Sequence, residues 1–260
     1  MIMSGALPIS DHVVVVTGGG RGLGAEIVRA VAGQGARVVI NYRNSADAAR
    51  ALADEIGDRA VAIAADVTDR AAVDSMIDSA THYFDRPITA VVTNALPDYS
   101  FNGDARSHAD DLTWAELDAQ FRGIVGGALT TVQQAALPGL RACGAGRIVT
   151  IGTNLVQNPV VPYHDYTAAK AALLALTRTL SHDLGPDGIS VNMVSGGLLR
   201  TTDASAATPA EVFDAIAAST PLRSVTTPRE FADAVLFFLS PWSRAVTGQN
   251  LVVDGGLVKN

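Results

Sequence analysis

Val13-Val14-Val15-Val16-Thr17-Gly18-Gly19-Gly20-Arg21-Gly22-Leu23-Gly24 decides the fold, because a valine run flows straight into a glycine-rich turn and then into a helical pattern. β-Branched residues favour extended chain, and a run apolar at every position fits a parallel strand covered on both faces. Glycines let the chain turn tightly, and the amides and dipole of the helix N-terminus that follows stabilise an anion such as a pyrophosphate. Strand, turn and helix in this order read as a dinucleotide site at Gly18, Gly20, Arg21, Gly22, Leu23 and Gly24. A glycine-rich turn without phosphate is the alternative. The GxGxxG fingerprint itself fails, since Leu23 occupies its last glycine position counted from Gly18.

Outward from this stretch the same alternation recurs. Short β-branched runs at Val13 to Val16, Arg37 to Ile40, Ala60 to Ala64, Ala90 to Val92, Arg147 to Ile151, Ile189 to Val194 and Asn250 to Val253 are separated by alanine-rich helical stretches. These begin near Leu23, Ala46, Ala71, Leu112, Tyr166, Pro209 and Pro228, with Ser45, Asp69, Thr208 and Thr227 as candidate N-caps. Repeated βαβ units predict an α/β fold: a doubly wound parallel sheet of seven strands in a three-layer α/β/α sandwich. At 260 residues the chain is expected to form one dinucleotide-binding and catalytic domain over 1–260. Two polar stretches, Pro97 to His108 and Ser195 to Thr208, follow strands and are candidate walls of a site at the carboxyl edge of the sheet.

Composition narrows the function. A net charge of -7 leaves no basic stripe for nucleic acid. The single cysteine, Cys143, excludes an intrachain disulfide and a cysteine-rich metal site, and the five histidines lack ligand spacing, so no metal is expected. Nothing at the start resembles a signal peptide and no apolar run is long enough to span a bilayer, so a cytoplasmic protein without membrane association is expected.

The chain contains only two lysines, and one of them, Lys170, follows Tyr166 by four residues. Four residues is about one helical turn, so the two side chains share a face. A nearby ammonium favours the phenolate and lowers the phenol pKa from its ordinary value of about 10, which makes the pair a candidate proton donor for carbonyl chemistry. The plainer reading is a tyrosine packed on the stem of a surface lysine. Trp114 and Trp242 read as packing anchors, and His164 as a solvent-facing residue at a helix start.

Taken together, Thr17-Gly18-x-x-x-Gly22-x-Gly24, Tyr166-x-x-x-Lys170, Ala65-Asp66-Val67-Thr68, Asn94-Ala95, Val191-Asn192, Thr247-Gly248 and Val253-Asp254-Gly255-Gly256 resemble the short-chain dehydrogenase/reductase family over nearly the whole chain. Within it, Asn41-Tyr42-Arg43-Asn44-Ser45 and the C-terminal segment look most like 3-oxoacyl-acyl-carrier-protein reductases. The resemblance implies a Rossmann fold and makes Tyr166 the donor to the substrate carbonyl oxygen. Lys170 tunes it and holds the nicotinamide ribose, and Thr153 stands at the family's serine position. It places Asp66 and Val67 at the adenine, Asn94 along the cofactor groove, and Gly197, Leu199 and Thr201 on the nicotinamide side. No acid follows the second strand; Tyr42 and Arg43, with Arg21, suit a 2′-phosphate, so NADP(H) is expected ahead of NAD(H).

Three departures stand out. Leu96 replaces the glycine of the family's NNAG, Gly196-Gly197 replaces its PG, and no asparagine occurs between Leu112 and Arg147, where Ile124 or Val125 takes the place of the family's relay residue. The expected reaction is NADP(H)-dependent reduction of a ketone, a 3-oxoacyl thioester in the first instance, with acyl carrier protein as a candidate partner and a homotetramer as the expected assembly. Oxidation of another alcohol, sugar or steroid is the second reading. A dinucleotide-binding protein with little turnover is the third.

Overall fold

The computed structural model describes residues 6–97, 99, 105–200, 202, 205 and 208–259, with backbone alone for 134–136. Its seven strands, β1 (Val13–Val16), β2 (Arg37–Tyr42), β3 (Ala60–Ala64), β4 (Ala90–Thr93), β5 (Arg147–Thr153), β6 (Ser190–Gly196) and β7 (Asn250–Val253), form one sheet in the order β3-β2-β1-β4-β5-β6-β7. Every recorded pairing is parallel, with Val14 opposite Val38 on one side and Ala90 on the other.

Strand periodicity explains the layers. Val14 and Val16 point to one face, where they meet Val38, Ile40, Ala49, Leu52, Phe231 and Val235. Val13 and Val15 point to the other and meet Val73, Met76, Ile77, Ile148 and Leu184. The first face carries α1 (Gly22–Gly33), α2 (Ala46–Ile56) and α9 (Pro228–Leu239). The second carries α3 (Arg70–Phe84), a long segmented helix from 114 to 143, and α7 (His164–Leu184). The remaining α-helix, α8 (Ala210–Ser219), follows β6 in the chain.

The long helix is α-helical over Trp114–Gln120 (α4), Gly127–Thr130 (α5) and Leu137–Cys143 (α6), and π-helical over Phe121–Gly126 and Thr131–Ala136. Local crowding accompanies the first π turn: the ring of Pro97 lies where a Cβ on Gly123 would be, at 2.7 Å. In the second, the Thr131 hydroxyl donates back to the Gly127 carbonyl at 2.7 Å, a bond that distorts helices.

Two helix starts match their expected caps. Asp69 accepts from the Ala71 and Ala72 amides, and Thr227 forms a reciprocal capping box with Glu230. Ser45 makes no side-chain cap bond, and α8 is preceded by Pro209 rather than capped by Thr208. The helix expected near Leu112 starts at Trp114, because Thr113 and Glu116 build a capping box there.

Candidate active site

The sheet order reverses direction between β1 and β4, and parallel sheets open a crevice at such a point. Side-chain bonds lock the crevice floor. The Thr17 hydroxyl accepts from the amides of Asn94 (2.9 Å) and Ala95 (3.0 Å), while Asn94 Nδ2 donates to the carbonyls of Thr17 (3.0 Å) and Gly18 (3.1 Å). Buried Asn41 accepts from the Gly18 amide at 3.2 Å and donates to the Ala65 carbonyl at 3.0 Å, joining the ends of the first three strands.

Gly18 and Gly22 have φ of +61° and +53°, which side-chain-bearing residues rarely adopt. A Cβ on Gly24 would collide with the Gly18 carbonyl, whereas one on Gly22 would meet nothing within 4 Å. No side chain caps the N-terminus of α1. The turn therefore offers backbone amides and open space, and it suits a pyrophosphate. At Gly20 a Cβ would meet Ser45 Oγ at 2.7 Å, so the glycine also answers the close approach of α2.

A cleft of about 2110 Å³ runs from this turn to the far side of β5. A pocket for one drug-sized ligand is about 300–1,000 Å³, so the cleft has room for a dinucleotide and a substrate together. Gly18, Arg21, Gly22, Leu23 and Gly24 line its near end, Tyr42, Arg43, Asp66 and Val67 its side, and Asn94, Gly197 and Leu199 its middle. Thr201 lies outside the described residues. Arg43 stands 3.7 Å from the Asp66 carboxylate. Asp66 is held below the usual carboxylate range, first by bonds from the Thr68 amide and hydroxyl and then by Arg43.

At the far end the cleft brings together Thr153, the last residue of β5, with Tyr166 and Lys170 from α7. All three are at least nine-tenths buried. The Thr153 side chain favours the charged form of the Tyr166 phenol. The Lys170 ammonium lies 5.6 Å from the Tyr166 ring centroid and donates to the Ile151 carbonyl at 2.6 Å. Burial pushes the phenol up to about 12, opposed by the Thr153 side chain, and holds the ammonium down, to about 8. In this arrangement desolvation sets the direction of the phenol's shift.

Of the neighbours, Asp165 and Asn154 were not singled out by sequence, whereas Tyr99 and Arg106 belong to the expected wall from Pro97 to His108. Asp165, Tyr99 and Arg106 form a network against Tyr166: the Tyr99 ring stacks on it at 5.2 Å, with Tyr163 edge-on to Tyr99 at 5.8 Å. Asn154 donates to Asp254 at 2.9 Å, tying the end of β5 to the turn after β7. Ile124 is buried beside Tyr163, Tyr166 and Ala169, with Val125 partly buried against the same cluster. Trp114 and Trp242, read as packing anchors, are 77% and 80% exposed. Among the described residues no group of three His, Cys, Asp or Glu could hold a metal, and no helix is long and apolar enough to cross a membrane.

A family model described as enoyl-(acyl carrier protein) reductase matches residues 18–258. Versicolorin reductase of Emericella nidulans is 33% identical over 95% of this chain and 96% of its own. A 3-oxoacyl-[acyl-carrier-protein] reductase of Vibrio cholerae is 30% identical over 96% of this chain and 98% of its own. The crystal structure of a dehydrogenase/reductase from Sinorhizobium meliloti superposes with a TM-score of 0.86 at 32% identity, covering 98% of this chain and 97% of that one.

Proposed function

The chain belongs to the short-chain dehydrogenase/reductase family, enzymes that interconvert CH–OH and C=O with a nicotinamide dinucleotide, and on that premise we propose that it reduces a ketone to a secondary alcohol with NADP(H). The observation that carries the reading is the meeting of Thr153, Tyr166 and Lys170 in the same cleft as an uncapped glycine turn. The residues fit the cofactor: the turn would hold the pyrophosphate, Asp66 and Val67 the adenine, and Arg21 and Arg43 the 2′-phosphate. When bound, NADPH supplies hydride to the carbonyl carbon.

The chain's own part is placement and proton supply. Thr153 and Tyr166 line the same end of the cleft, where both hydroxyls would donate to one carbonyl oxygen. Tyr166 gives up its proton as negative charge develops on that oxygen, and the adjacent ammonium of Lys170 favours the resulting phenolate. With its phenol raised by burial, Tyr166 stays protonated at neutral pH, the form reduction requires.

For the substrate, a 3-oxoacyl thioester, with acyl carrier protein as carrier, follows from the resemblance and from the Vibrio relative. A ring ketone is the second reading, and a specific observation favours it. Arg106, which lines the cleft, is engaged with the buried Asp165 carboxylate and is poorly disposed to an acidic carrier. The wall beside Tyr166 is meanwhile built of Tyr99 and Tyr163, with Val160 and Val161 nearby.

NADPH consumption against 3-oxoacyl thioesters, sugars, steroids and aromatic ring ketones tests both readings. Turnover of a ring ketone without turnover of thioesters selects the second, and the reverse selects the first. Tighter binding of NADH than NADPH would contradict the cofactor assignment, and an Arg21→Ala, Arg43→Ala double variant should lose the selectivity.

A further inference from the structure

α8 buries only Phe213, yet Val212, Ala215, Ile216 and Ser219 of the same helix line the cleft. Their spacing is i, i+3, i+4 and i+7, which is one face of a helix. Three of the four are apolar, and the face is bare: Val212 is 41% exposed. Val160, from the segment between β5 and α7, lines the same cleft and is 69% exposed. Apolar side chains left uncovered in a concave site mark the place of an apolar ligand.

A chain of contacts fixes one end of this face near Thr153. Asn154, the next residue, donates to Asp254 at 2.9 Å. A Cβ on Gly255 would stand 3.2 Å from the Cβ of Thr220, the C-cap of α8, and the Leu222 amide donates to the Gly255 carbonyl at 3.1 Å. The C-terminal end of α8 is thereby tied to the turn that holds the end of β5. Glu211, in the first turn of α8, lies about 12 Å further along the helix axis than Ser219.

The charges that line the cleft sort by their partners. Arg21, Arg43 and Asp66 belong to the dinucleotide end. Of the others, Arg106 is engaged by Asp165, Arg122 is paired with Asp118, and Lys170 is buried and donates to the Ile151 carbonyl. Asp254 accepts from Asn154 and from the amides of Gly256 and Val258. Glu211 is exposed and has no hydrogen bond or ion pair among the described residues. An anionic group entering beside α8 would leave water for an apolar face, with this carboxylate as its unpaired neighbour.

We propose that α8 makes the cleft selective for an uncharged, apolar ketone: the face of Val212, Ala215 and Ile216 holds the hydrocarbon part, and Glu211 disfavours an anionic substituent remote from the carbonyl. This rests on the reading of the cleft as that of a ketone reductase, and it states which ring ketones fit.

The test uses a cyclohexanone and a tetralone, each carrying either a methyl ester or the free carboxylate at the ring position farthest from its ketone. With NADPH, kcat/KM should favour the ester about tenfold or more in both pairs. Glu211→Gln should narrow that ratio about threefold and Glu211→Lys should narrow it further, while Val212→Ser and Ile216→Ser should raise KM for the esters more than they change kcat. Calorimetric binding of the corresponding alcohols to the complex of enzyme and NADP+ repeats the comparison without turnover. Equal or better use of the carboxylates by the parent, or a ratio that neither Glu211 variant moves, overturns the inference; if Arg122→Gln then removes a preference for carboxylates, Arg122 is the group that selects charge. Reduction of neither ketone pair, with the ester preference intact in calorimetry, would count against the reductase reading and leave the selectivity of the cleft standing.

Discussion

A hydroxyl on a β-branched carbon has a restricted χ1, and Thr153 already uses its own to accept from the Leu155 amide at 3.3 Å. Serine there keeps the donor, so Thr153→Ser should retain turnover within a few-fold. Thr153→Val keeps the shape and loses the donor, and should cut kcat by roughly 100–1,000-fold, the cost of one oxyanion donor, with NADPH affinity unchanged by fluorescence titration. Equal activity in the valine variant would remove Thr153 from the chemistry. The Tyr166–Lys170 pair was legible because helical periodicity is local. The direction of the phenol's shift was not, since it depends on burial that only the packed cleft creates. Nor was the Arg106–Asp165 pair, whose members lie 59 residues apart.

The strand–turn–helix unit at the N-terminus shows how element geometry dictates residue choice. Gly24→Ala puts a methyl into the Gly18 carbonyl and should abolish dinucleotide binding, whereas Gly33→Ala meets nothing within 4 Å. The second change should leave binding intact and raise stability by up to about 1 kcal/mol through helix propensity. Calorimetry for binding and thermal melts for stability separate them, and equal binding by both variants would contradict the account of the turn. All seven strands were legible, because runs such as Val13 to Val16 are apolar throughout and bounded by turn residues. Their ends run on into Tyr42, Thr93, Thr153 and Gly196, of which Tyr42, Thr153 and Gly196 also line the cleft. The start of α4 was missed by two residues although Thr113 and Glu116 carry the capping-box spacing. The π turns had no sequence signal, since contacts such as Pro97 against Gly123 join distant segments.

Over the whole molecule, pH acts far from the cleft as well. His12, fully buried at the opposite edge of the sheet, bonds Thr89 at 3.0 Å, and burial, aided by Arg147, lowers it to about 4. The fold favours the neutral ring, so this contribution is fully present above the unfolded value of 6.5 and is lost as pH falls toward about 4. The loss amounts to roughly 3 kcal/mol, and denaturant melts over that window should show it in the parent and much less of it in His12→Gln. Trp114, Trp242 and Leu222, at 77%, 80% and 73% exposure, suit burial against further copies of the chain, and a homotetramer is our proposal. Light scattering at micromolar concentration should read four chain masses; one chain mass would refute it. The central claim, that this cleft transfers hydride and a proton to a ketone despite Ile124 or Val125 in place of the family's asparagine, is tested most directly by a single turnover. Enzyme loaded with NADPH is mixed with the ketone that performs best in the panel, and nicotinamide absorbance is followed. The account predicts loss of one cofactor equivalent with secondary alcohol formed, at a rate that collapses in Tyr166→Phe. No transfer to any ketone, with NADPH binding demonstrated, would contradict it and leave a dinucleotide-binding protein without this chemistry.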